Sequence, residues 1–415
     1  MPVATHILVS NRGHFGKEDL QMPENIFSAV GTWDVKPGVN GYYLLKYQTE
    51  NGAFQIIDRS IEDVIAGTQC FDSQRRIAYI CDEKESLDDS VGGGGYVLAV
   101  RIDPKRGCMD LINRSRSYGV APTMFCLDKT GDYALVSHHG KNNHVTKTVW
   151  TPEGRVEARV EHDDAALVLF RIREDGSIGE PCDFDLTPGD GDGMHAASHQ
   201  HSVTPSPGYD VFVVCDKGAD KVYTYGIDRA AGKLERRGVQ NVTPGSRPRY
   251  CAFHPTLPIF YQNNEDRAEV NIWKYDAGSG AFSLKGTCPL LETERLSALV
   301  DQGVFKEDGS CKFGPADILV SPDGRTLYCG IRKANVIAVV ALNTDGSAEL
   351  VQNIDSYGEN PRALCISPDG RYLFSVNYQS GNISRFNIGT DGHLTFSGIA
   401  AEGLEKPANL VMMHL

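Results

Sequence analysis

Short apolar runs separated by turn-forming residues dominate the chain from end to end. Examples are YYLLKY, YVLAVRI, VYTYGI and VIAVVAL, and the segments between such runs contain SPDG, TDG, EDG or KTG. Runs of this length bounded by Gly, Pro, Asp and Ser are typical of β-strands joined by tight turns. No long segment has the 3.6-residue period of an amphipathic helix. The pattern therefore predicts an all-β chain.

One arrangement of strands and turns recurs along the sequence. The clearest copies, GPADILVSPDGRTLYCGIR (314–332) and NPRALCISPDGRYLFSVNY (360–378), each contain an apolar strand, a turn and a second apolar strand. Weaker copies with the same order of features cover 66–83, 121–139, 199–216 and 247–265. A third apolar strand, and often a fourth, follows each copy. Four antiparallel strands per repeat predict the blades of a β-propeller.

The two ends of the chain supply the strands of a seventh repeat. FSAVGTW (27–33), GYYLLKY (41–47) and FQIID (54–58) provide three strands, and PANLVMM (407–413) provides the innermost one. Pairing of N- and C-terminal strands in one blade closes the ring and leaves no open sheet edge. The sequence thus predicts one all-β domain over 1–415, a seven-bladed β-propeller of four-stranded antiparallel blades. Residues 1–25 are interpreted as an N-terminal extension and 140–165 as an inserted loop or hairpin.

Composition and charge narrow the classes of partner. A chain of 415 residues is too long for one ordinary hydrophobic core, which agrees with a radial repeat. The net charge of −13 disfavours binding to nucleic acid. No apolar run approaches the roughly 18 residues of a membrane span, and MPVATHILVS lacks the features of a secretion signal. Eleven cysteines at scattered spacings fit reduced thiols, so we expect a cytoplasmic protein.

Ionisable side chains recur where the hairpins of the repeats end. Because the first two strands of each repeat are antiparallel, the start of the first and the end of the second lie at the same end of the blade. With the first strand innermost, both positions face the mouth of the central channel. Alignment on the turn glycine places Glu83, His139, Asp216, Glu265, Arg332 and Tyr378 at the end of the second strand, and His201, Arg249, Asp317 and Arg362 near the start of the first. Lys is missing from these positions, unlike at an ordinary solvated rim, so we predict a substrate-binding concavity.

The segment HAASHQHSV (195–203) contributes three histidines to the same region. His201 lies at the inner start of its strand, at the predicted mouth. His199 takes the slot where other repeats carry Pro, which favours support of a turn, although it stays among the candidate substrate-binding residues. His199 and His201 alternate along an extended segment and point to one face, so a metal ion bound by them is an open alternative. No third ligand follows at a telling distance, although Asp216 and His139 are possible ones, and we predict a site without metal or cofactor.

Several segments resemble the seven-bladed propeller lactonase family, which contains bacterial 6-phosphogluconolactonases and fungal carboxymuconate lactonizing enzymes. The similar segments are HQHSV, DKGADKVYTY (216–225), the PRY…HP…NNE run (248–265), SPDGRTLYCGIR and NPR…SPDGRYLFSVNY. The resemblance covers nearly the whole chain and implies that four positions are functional: His201, Arg249, Glu265 and Arg332. One departure is Tyr250, where the phosphogluconolactonase-like members usually have His after the Pro-Arg pair.

Elementary chemistry suggests how these four groups would act on a small anionic lactone or carboxylate substrate. Arg249 and Arg332 would clamp its negative charge, and one of them would stabilise the oxyanion formed when water adds to the lactone carbonyl. His201 would act as general base, while Glu265 would orient His201 or hold a proton for the leaving ring oxygen. We therefore expect metal-independent hydrolysis of a sugar-acid lactone. A lactonizing cycloisomerase that uses the same groups, and a non-catalytic scaffold with exposed aromatics such as Trp33 at the mouth, are the alternatives.

Overall fold

Each apolar run is followed by a turn and by a second run that pairs with it in antiparallel orientation. The chain therefore folds as consecutive four-stranded sheets. The computed structural model describes residues 4–5, 26–33, 41–87, 91–189 and 195–414. Within these ranges, seven antiparallel sheets form the blades of a propeller; six have four strands and one has a short fifth strand in addition. The innermost strands of neighbouring blades contact one another around a closed ring. The predicted all-β, seven-bladed architecture is confirmed.

The strands follow one another in the order that the repeats predict. Before the first continuous blade come β1 (Ala4–Thr5), β2 (Ile26–Thr32), β3 (Gly41–Gln48) and β4 (Ala53–Glu62). Blade 1 contains β5 (Ala66–Asp72), β6 (Ile77–Asp82), β7 (Tyr96–Asp103) and β8 (Cys108–Arg116). Blade 2 contains β9 (Pro122–Leu127) and β10 (Tyr133–His138), then the inserted strands β11 (His144–Trp150) and β12 (Val156–His162), then β13 (Ala165–Ile172) and β14 (Ile178–Thr187). Blade 3 contains β15 (Gln200–Pro205), β16 (Phe212–Asp216), β17 (Lys221–Asp228) and β18 (Lys233–Asn241).

The second half of the ring repeats this organisation. Blade 4 contains β19 (Pro248–Phe253), β20 (Ile259–Asn264), β21 (Arg267–Tyr275) and β22 (Phe282–Pro289), followed by helix α1 (Thr293–Asp301). Blade 5 contains β23 (Pro315–Val320), β24 (Thr326–Ile331), β25 (Val336–Leu342) and β26 (Ala348–Asp355). Blade 6 contains β27 (Pro361–Ile366), β28 (Tyr372–Asn377), β29 (Asn382–Ile388) and β30 (Leu394–Ala401), and the last strand is β31 (Pro407–His414).

Blade 7 joins the two ends of the chain. Strand β31 is its innermost strand and pairs antiparallel with β2, from Ile26 opposite His414 to Gly31 opposite Asn409. Strands β3 and β4 complete the sheet in the order β31-β2-β3-β4. The predicted closure of the ring by terminal strands in one blade is therefore confirmed.

Two segments depart from the simple repeat. The predicted insertion at 140–165 contains the β11–β12 hairpin, which forms a two-stranded sheet of its own. Of the predicted extension at 1–25, only Ala4 and Thr5 belong to the described residues, where they pair with Phe71 and Cys70 of β5. Among the described residues, no helix is long and apolar enough to cross a membrane.

Burial follows the distance of each strand from the ring axis. In blade 1, every residue of β5 and β6 is buried, whereas the outer strand β8 is mostly exposed or partly exposed. The apolar side chains of the inner strands pack between neighbouring blades; Phe125 of blade 2, for example, stacks on Tyr79 of blade 1 at 4.8 Å between ring centroids. This rigid inner wall fixes the strand ends that surround the channel.

Each innermost strand carries a β-bulge close to its start. The antiparallel register shifts there in all seven blades, and the shift leaves out the second residue of the strand, together with the third in blades 4 and 5. A bulge bends the strand and re-aims the unpaired side chain. The residues at this position are Gly67, Thr123, His201, Arg249, Ala316, Arg362 and Ala408.

Candidate active site at the channel mouth

A cavity of about 570 Å³ opens at the end of the ring where the second strand of every blade stops. The first residue after each second strand lines it, so all seven blades contribute one side chain. These residues are Trp33, Glu83, His139, Lys217, Glu265, Arg332 and Tyr378. Four of the bulge residues, Thr123, His201, Arg249 and Arg362, line the same cavity from the innermost strands. The site is thus built from two rings of equivalent backbone positions.

Eight of the eleven site residues predicted from the sequence line this cavity. They are Glu83, His139, His201, Arg249, Glu265, Arg332, Arg362 and Tyr378. The other three, Asp216, Asp317 and His199, do not line the cavity. Each of them makes structural contacts next to it.

Asp216 supports a turn instead of facing the cavity. Its buried carboxylate accepts hydrogen bonds from Ser198 Oγ at 2.5 Å and from the backbone N–H groups of His199, Gly218 and Ala219 at 2.8–3.1 Å. The residue that does face the cavity is its neighbour, Lys217.

The alignment on the turn glycine slipped by one residue in this blade. In blades 5 and 6 the left-handed position of the turn is Gly324 or Gly370, with φ of 74° and 72°. In blade 3 the same position is Tyr209, with φ of 61°, and Gly208 precedes it. Counting from Gly208 therefore selects Asp216 where the backbone geometry selects Lys217. The expectation that Lys is missing from the mouth is wrong, since Lys141, Lys217 and Lys333 all line the cavity.

Asp317 and His199 connect neighbouring elements. Asp317 accepts a hydrogen bond from the backbone N–H of Leu364 in the next blade at 2.8 Å. The His199 ring stacks on His139 at 4.6 Å, and its Nδ1 and Nε2 lie within 2.7 Å of His139 O and Asn142 Oδ1. With both ring nitrogens occupied, His199 supports the insertion and the His139 ring. Among the described residues, no three His, Cys, Asp or Glu side chains cluster as metal ligands would.

Glu265 is the centre of a buried ion cluster, called here the Glu265 cluster. Lys217 Nζ and Arg332 Nη2 each donate a hydrogen bond to its carboxylate at 2.7 Å, and Arg249 Nε lies 3.4 Å away. Burial alone would raise the pKa of Glu265, but the charges of Lys217, Arg332 and Arg249 lower it well below its usual value. Glu265 is therefore ionised, and the expected role as a proton-holding acid does not fit. Lys217, which the sequence analysis missed, completes this cluster.

The two arginines of the cluster are held by backbone carbonyl groups. Arg249 Nη1 donates to Ala316 O at 2.7 Å, and Arg332 donates from Nε to Gly314 O at 3.2 Å. Burial lowers the pKa of Arg332 to about 10, which still leaves the guanidinium charged at neutral pH. Both side chains are thus fixed before any substrate arrives.

His201 lies beside this cluster as a neutral imidazole. Its ring makes an edge contact with Tyr250 at 5.0 Å, and its buried Nδ1 has no hydrogen-bond partner among the described residues. Burial, followed by the charges of Arg249 and Lys217, lowers the pKa of His201 well below 6.5. No hydrogen bond joins His201 to Glu265 in the described part of the chain, so the expected orientation of His201 by Glu265 is not seen.

A second group of side chains, called here the Arg362 subsite, faces the cavity from blades 6, 7 and 1. Arg362 lies over the rings of Trp33 and Tyr378, with its Cζ 4.7 and 5.5 Å from their centroids. The Trp33 indole donates a hydrogen bond to Glu83 Oε2 at 2.8 Å. Trp33 thus makes its contacts within the site and is not an exposed aromatic residue on which a partner protein could dock.

The cavity is more positive than the rest of the molecule. Of the described residues that line the cavity, six are cationic (Lys141, Lys217, Arg249, Arg332, Lys333 and Arg362) and four are anionic (Glu83, Glu85, Glu265 and Glu359). With neutral imidazoles this leaves an excess of two positive charges, in a chain whose net charge is −13. Such a local positive well favours a small anion over the surrounding surface.

Comparison with known proteins agrees with this architecture. A 6-phosphogluconolactonase of Formosa agariphila is 27% identical over 368 residues, which cover 86% of this chain and 91% of that protein. A 6-phosphogluconolactonase of Bacillus subtilis is 27% identical over 364 residues, covering 86% of this chain and 89% of that protein.

The solved structure of the periplasmic gluconolactonase PpgL from Pseudomonas aeruginosa has the same fold, with a TM-score of 0.77 at 20% identity over 94% of this chain and 99% of that one. The family described as "Lactonase, 7-bladed beta-propeller" matches residues 29–406. The chain is therefore an enzyme of the seven-bladed β-propeller lactonase family.

Proposed function

We propose that this enzyme hydrolyses a sugar-acid lactone, with 6-phosphogluconolactone as the reference substrate. The observation that carries the proposal is the Glu265 cluster, in which three cations share one carboxylate next to a neutral imidazole in the cavity at the channel mouth. The names of the two relatives that are 27% identical support the choice of substrate class.

Arg249 and Arg332 stabilise the negative charge at the lactone carbonyl. Addition of water turns this carbonyl oxygen into an oxyanion, and hydrolysis leaves a carboxylate at the same place. Preorganised guanidinium donors lower the energy of such a charge most where they need not move during the reaction. The backbone bonds to Ala316 and Gly314 hold both arginines in this way. Glu265 orients the cations, and Lys217 adds a third positive charge.

His201 moves the protons. As a neutral base it takes a proton from the attacking water while the new C–O bond forms. The imidazolium then returns this proton to the ring oxygen as the acyl C–O bond breaks, so the ring opens to a hydroxy acid. Because its pKa is lowered, protonated His201 is a strong enough acid for this second step. The route assigns the electrostatic role to arginine, needs no metal ion and forms no covalent intermediate.

A substrate panel tests the proposal. The purified protein is offered 6-phosphogluconolactone, glucono-1,5-lactone and a carboxymuconate, with release of acid and loss of conjugated absorbance recorded in parallel. Hydrolysis predicts acid release from the lactones above the spontaneous rate, and His201→Gln serves as the inactive control. Loss of conjugated absorbance without lactone hydrolysis would instead assign the cycloisomerase reaction.

A further inference from the structure

Arginine side chains face the cavity from two different arcs of the ring. The Glu265 cluster and His201 come from blades 3, 4 and 5, whereas the Arg362 subsite comes from blades 6, 7 and 1. The two regions face one cavity of about 570 Å³. A substrate that fills this cavity therefore presents one end to His201 and Arg249 and another end to Arg362.

Arg362 differs from the cations of the Glu265 cluster because no described residue forms a hydrogen bond or an ion pair with its guanidinium. Lys217 and Arg332 each donate a hydrogen bond to Glu265, and Arg249 donates one to a backbone carbonyl. Within the described ranges, Arg362 makes no hydrogen bond and no ion pair; its close contacts are the faces of Trp33 and Tyr378. The nearby carboxylate of Glu83 accepts its hydrogen bond from Trp33 instead.

The aromatic rings keep the guanidinium in place without using its donors. Cation–π contacts with Trp33 and Tyr378 attract the charge of the group and form no hydrogen bond with it, so its N–H donors stay available. These donors match the oxygens of a phosphate or a carboxylate in a bidentate arrangement. Burial lowers the pKa of Arg362, the nearby charge of Glu83 raises it, and the charge of Arg249 lowers it again.

We propose that Arg362 binds a second anionic group of the substrate, remote from the lactone carbonyl, and thereby selects lactones that carry a phosphate or a carboxylate at the far end. This inference rests on the proposed lactone hydrolysis and adds a structural basis for its substrate specificity. Trp33 and Tyr378 are positioning residues for Arg362. An uncharged sugar lactone would reach the Glu265 cluster without using Arg362.

The test compares three lactones in wild-type enzyme, Arg362→Gln and Arg362→Lys. 6-Phosphogluconolactone carries a phosphate, a glucarolactone carries a carboxylate, and glucono-1,5-lactone carries neither. We expect Arg362→Gln to lower kcat/KM for the preferred anionic lactone about 30-fold or more, mainly through KM, because a charge-assisted pair is lost. The neutral lactone should change less than about threefold, and Arg362→Lys should recover part of the loss. The lactone whose kcat/KM falls more in Arg362→Gln, the one with the phosphate or the one with the carboxylate, identifies the anionic group of the natural substrate.

Two controls separate this inference from the proposed function. Arg325→Gln removes an exposed arginine from a turn that does not line the cavity, and it should leave all three rates unchanged. Binding of inorganic phosphate, measured by calorimetry, provides a readout without catalysis, and Arg362→Gln should weaken it. If the wild-type enzyme hydrolyses no lactone but Arg362 still determines phosphate binding, the reaction is wrong and the anion site stands. Equal losses on charged and neutral lactones, or unchanged phosphate binding in Arg362→Gln, would overturn the inference.

Discussion

Lys217 donates a hydrogen bond from Nζ to Glu265 Oε2 across 2.7 Å, and the two residues are only 8% and 2% exposed. The pair joins blade 3 to blade 4 at the cavity wall. Because Arg249 and Arg332 approach the same carboxylate, the cluster has three positive charges and one negative charge. Its response to substitution therefore depends on which sign of charge is removed.

Glu265→Gln should destabilise the fold more than Lys217→Met. The first change leaves three buried cations without a counter-charge, which we expect to cost about 3–5 kcal/mol of unfolding free energy. The second leaves Glu265 with two arginines and removes one source of repulsion, so it should cost about 1–2 kcal/mol. Urea unfolding of both variants measures the difference. A Lys217→Met protein as unstable as Glu265→Gln would contradict the charge balance described here.

The acid limb of the pH–rate profile should lie below pH 6.5. His201 acts as a base only when neutral, and its lowered pKa keeps it neutral at pH values where an ordinary imidazole is protonated. We expect kcat/KM to hold as the pH falls through 6.5 and to drop only at lower pH. His201→Gln should lower kcat/KM about 100-fold or more and remove the limb. A wild-type limb centred at or above 6.5 would exclude this assignment.

Arg249→Lys should affect catalysis far more than stability. Lysine keeps the charge but loses the planar fork, so the oxyanion loses a fixed donor and kcat/KM should fall about 100-fold. The lost bond to Ala316 O should cost only about 1–2 kcal/mol of unfolding free energy. Steady-state kinetics and urea unfolding on the same preparation make the comparison. Unchanged turnover would remove Arg249 from the mechanism.

Acid should destabilise the protein partly through His138, which is fully buried behind the site. Burial lowers its pKa from 6.5 to about 4, so the unfolded chain binds the proton more readily than the folded one. Stability from this residue is complete above pH 6.5 and declines as the pH falls towards 4. At about 1.4 kcal/mol per pKa unit, the loss is roughly 3 kcal/mol.

The variant His138→Asn isolates this contribution. Its amide nitrogen can replace Nδ1 as the donor to Ala166 O, which lies 2.9 Å from Nδ1 in the wild-type protein. Unfolding free energies at pH 7 and pH 4.5 should differ less in the variant than in the wild type. Equal pH dependence in the two proteins would show that His138 is not the source.

Gly67→Ala should disturb the Arg362 subsite. Gly67 is the bulge residue of blade 1, and a Cβ added there would overlap Glu83 Oε1. The Glu83 side chain must then shift, which weakens the bond from Trp33; we expect a stability loss of about 1–3 kcal/mol and a lower preference for anionic lactones. The matched control is Gly286→Ala in β22, where the added Cβ would meet no atom within 4 Å. If both variants behave alike in thermal unfolding and kinetics, the contact with Glu83 does not matter.

The sequence was sufficient for the architecture because a propeller is specified by local and repeated features. Strand periodicity, turn residues and the terminal strands predicted seven blades and their closure, and eight of the eleven residues chosen from strand polarity line the cavity. The errors came from a shift of one residue in the position assigned along a strand. Tyr209 adopts the left-handed turn conformation that glycine has in other blades, so Lys217 was missed and Asp216 chosen in its place.

Contacts between blades were the other source of error. Expected burial suggested a proton on Glu265, yet its charge state depends on Lys217, Arg249 and Arg332 from three different blades. The stacking of Arg362 on Trp33 likewise joins residues far apart in the sequence. The energies of such contacts depend on distances between blades. The residue pattern of one chain segment contains no information on these distances.

The bulge near the start of every innermost strand has a consequence for how this enzyme can change during evolution. The bulged residue is left out of the strand register, so its side chain contributes little to the pairing that holds the ring together. The position already carries an imidazole, a guanidinium, a hydroxyl or a methyl group in different blades, so one codon can change the group that faces the channel wherever the neighbouring side chains leave room. New chemistry at the channel mouth of this propeller can therefore arise in single steps, while the pairing of the strands within the blades stays unaltered.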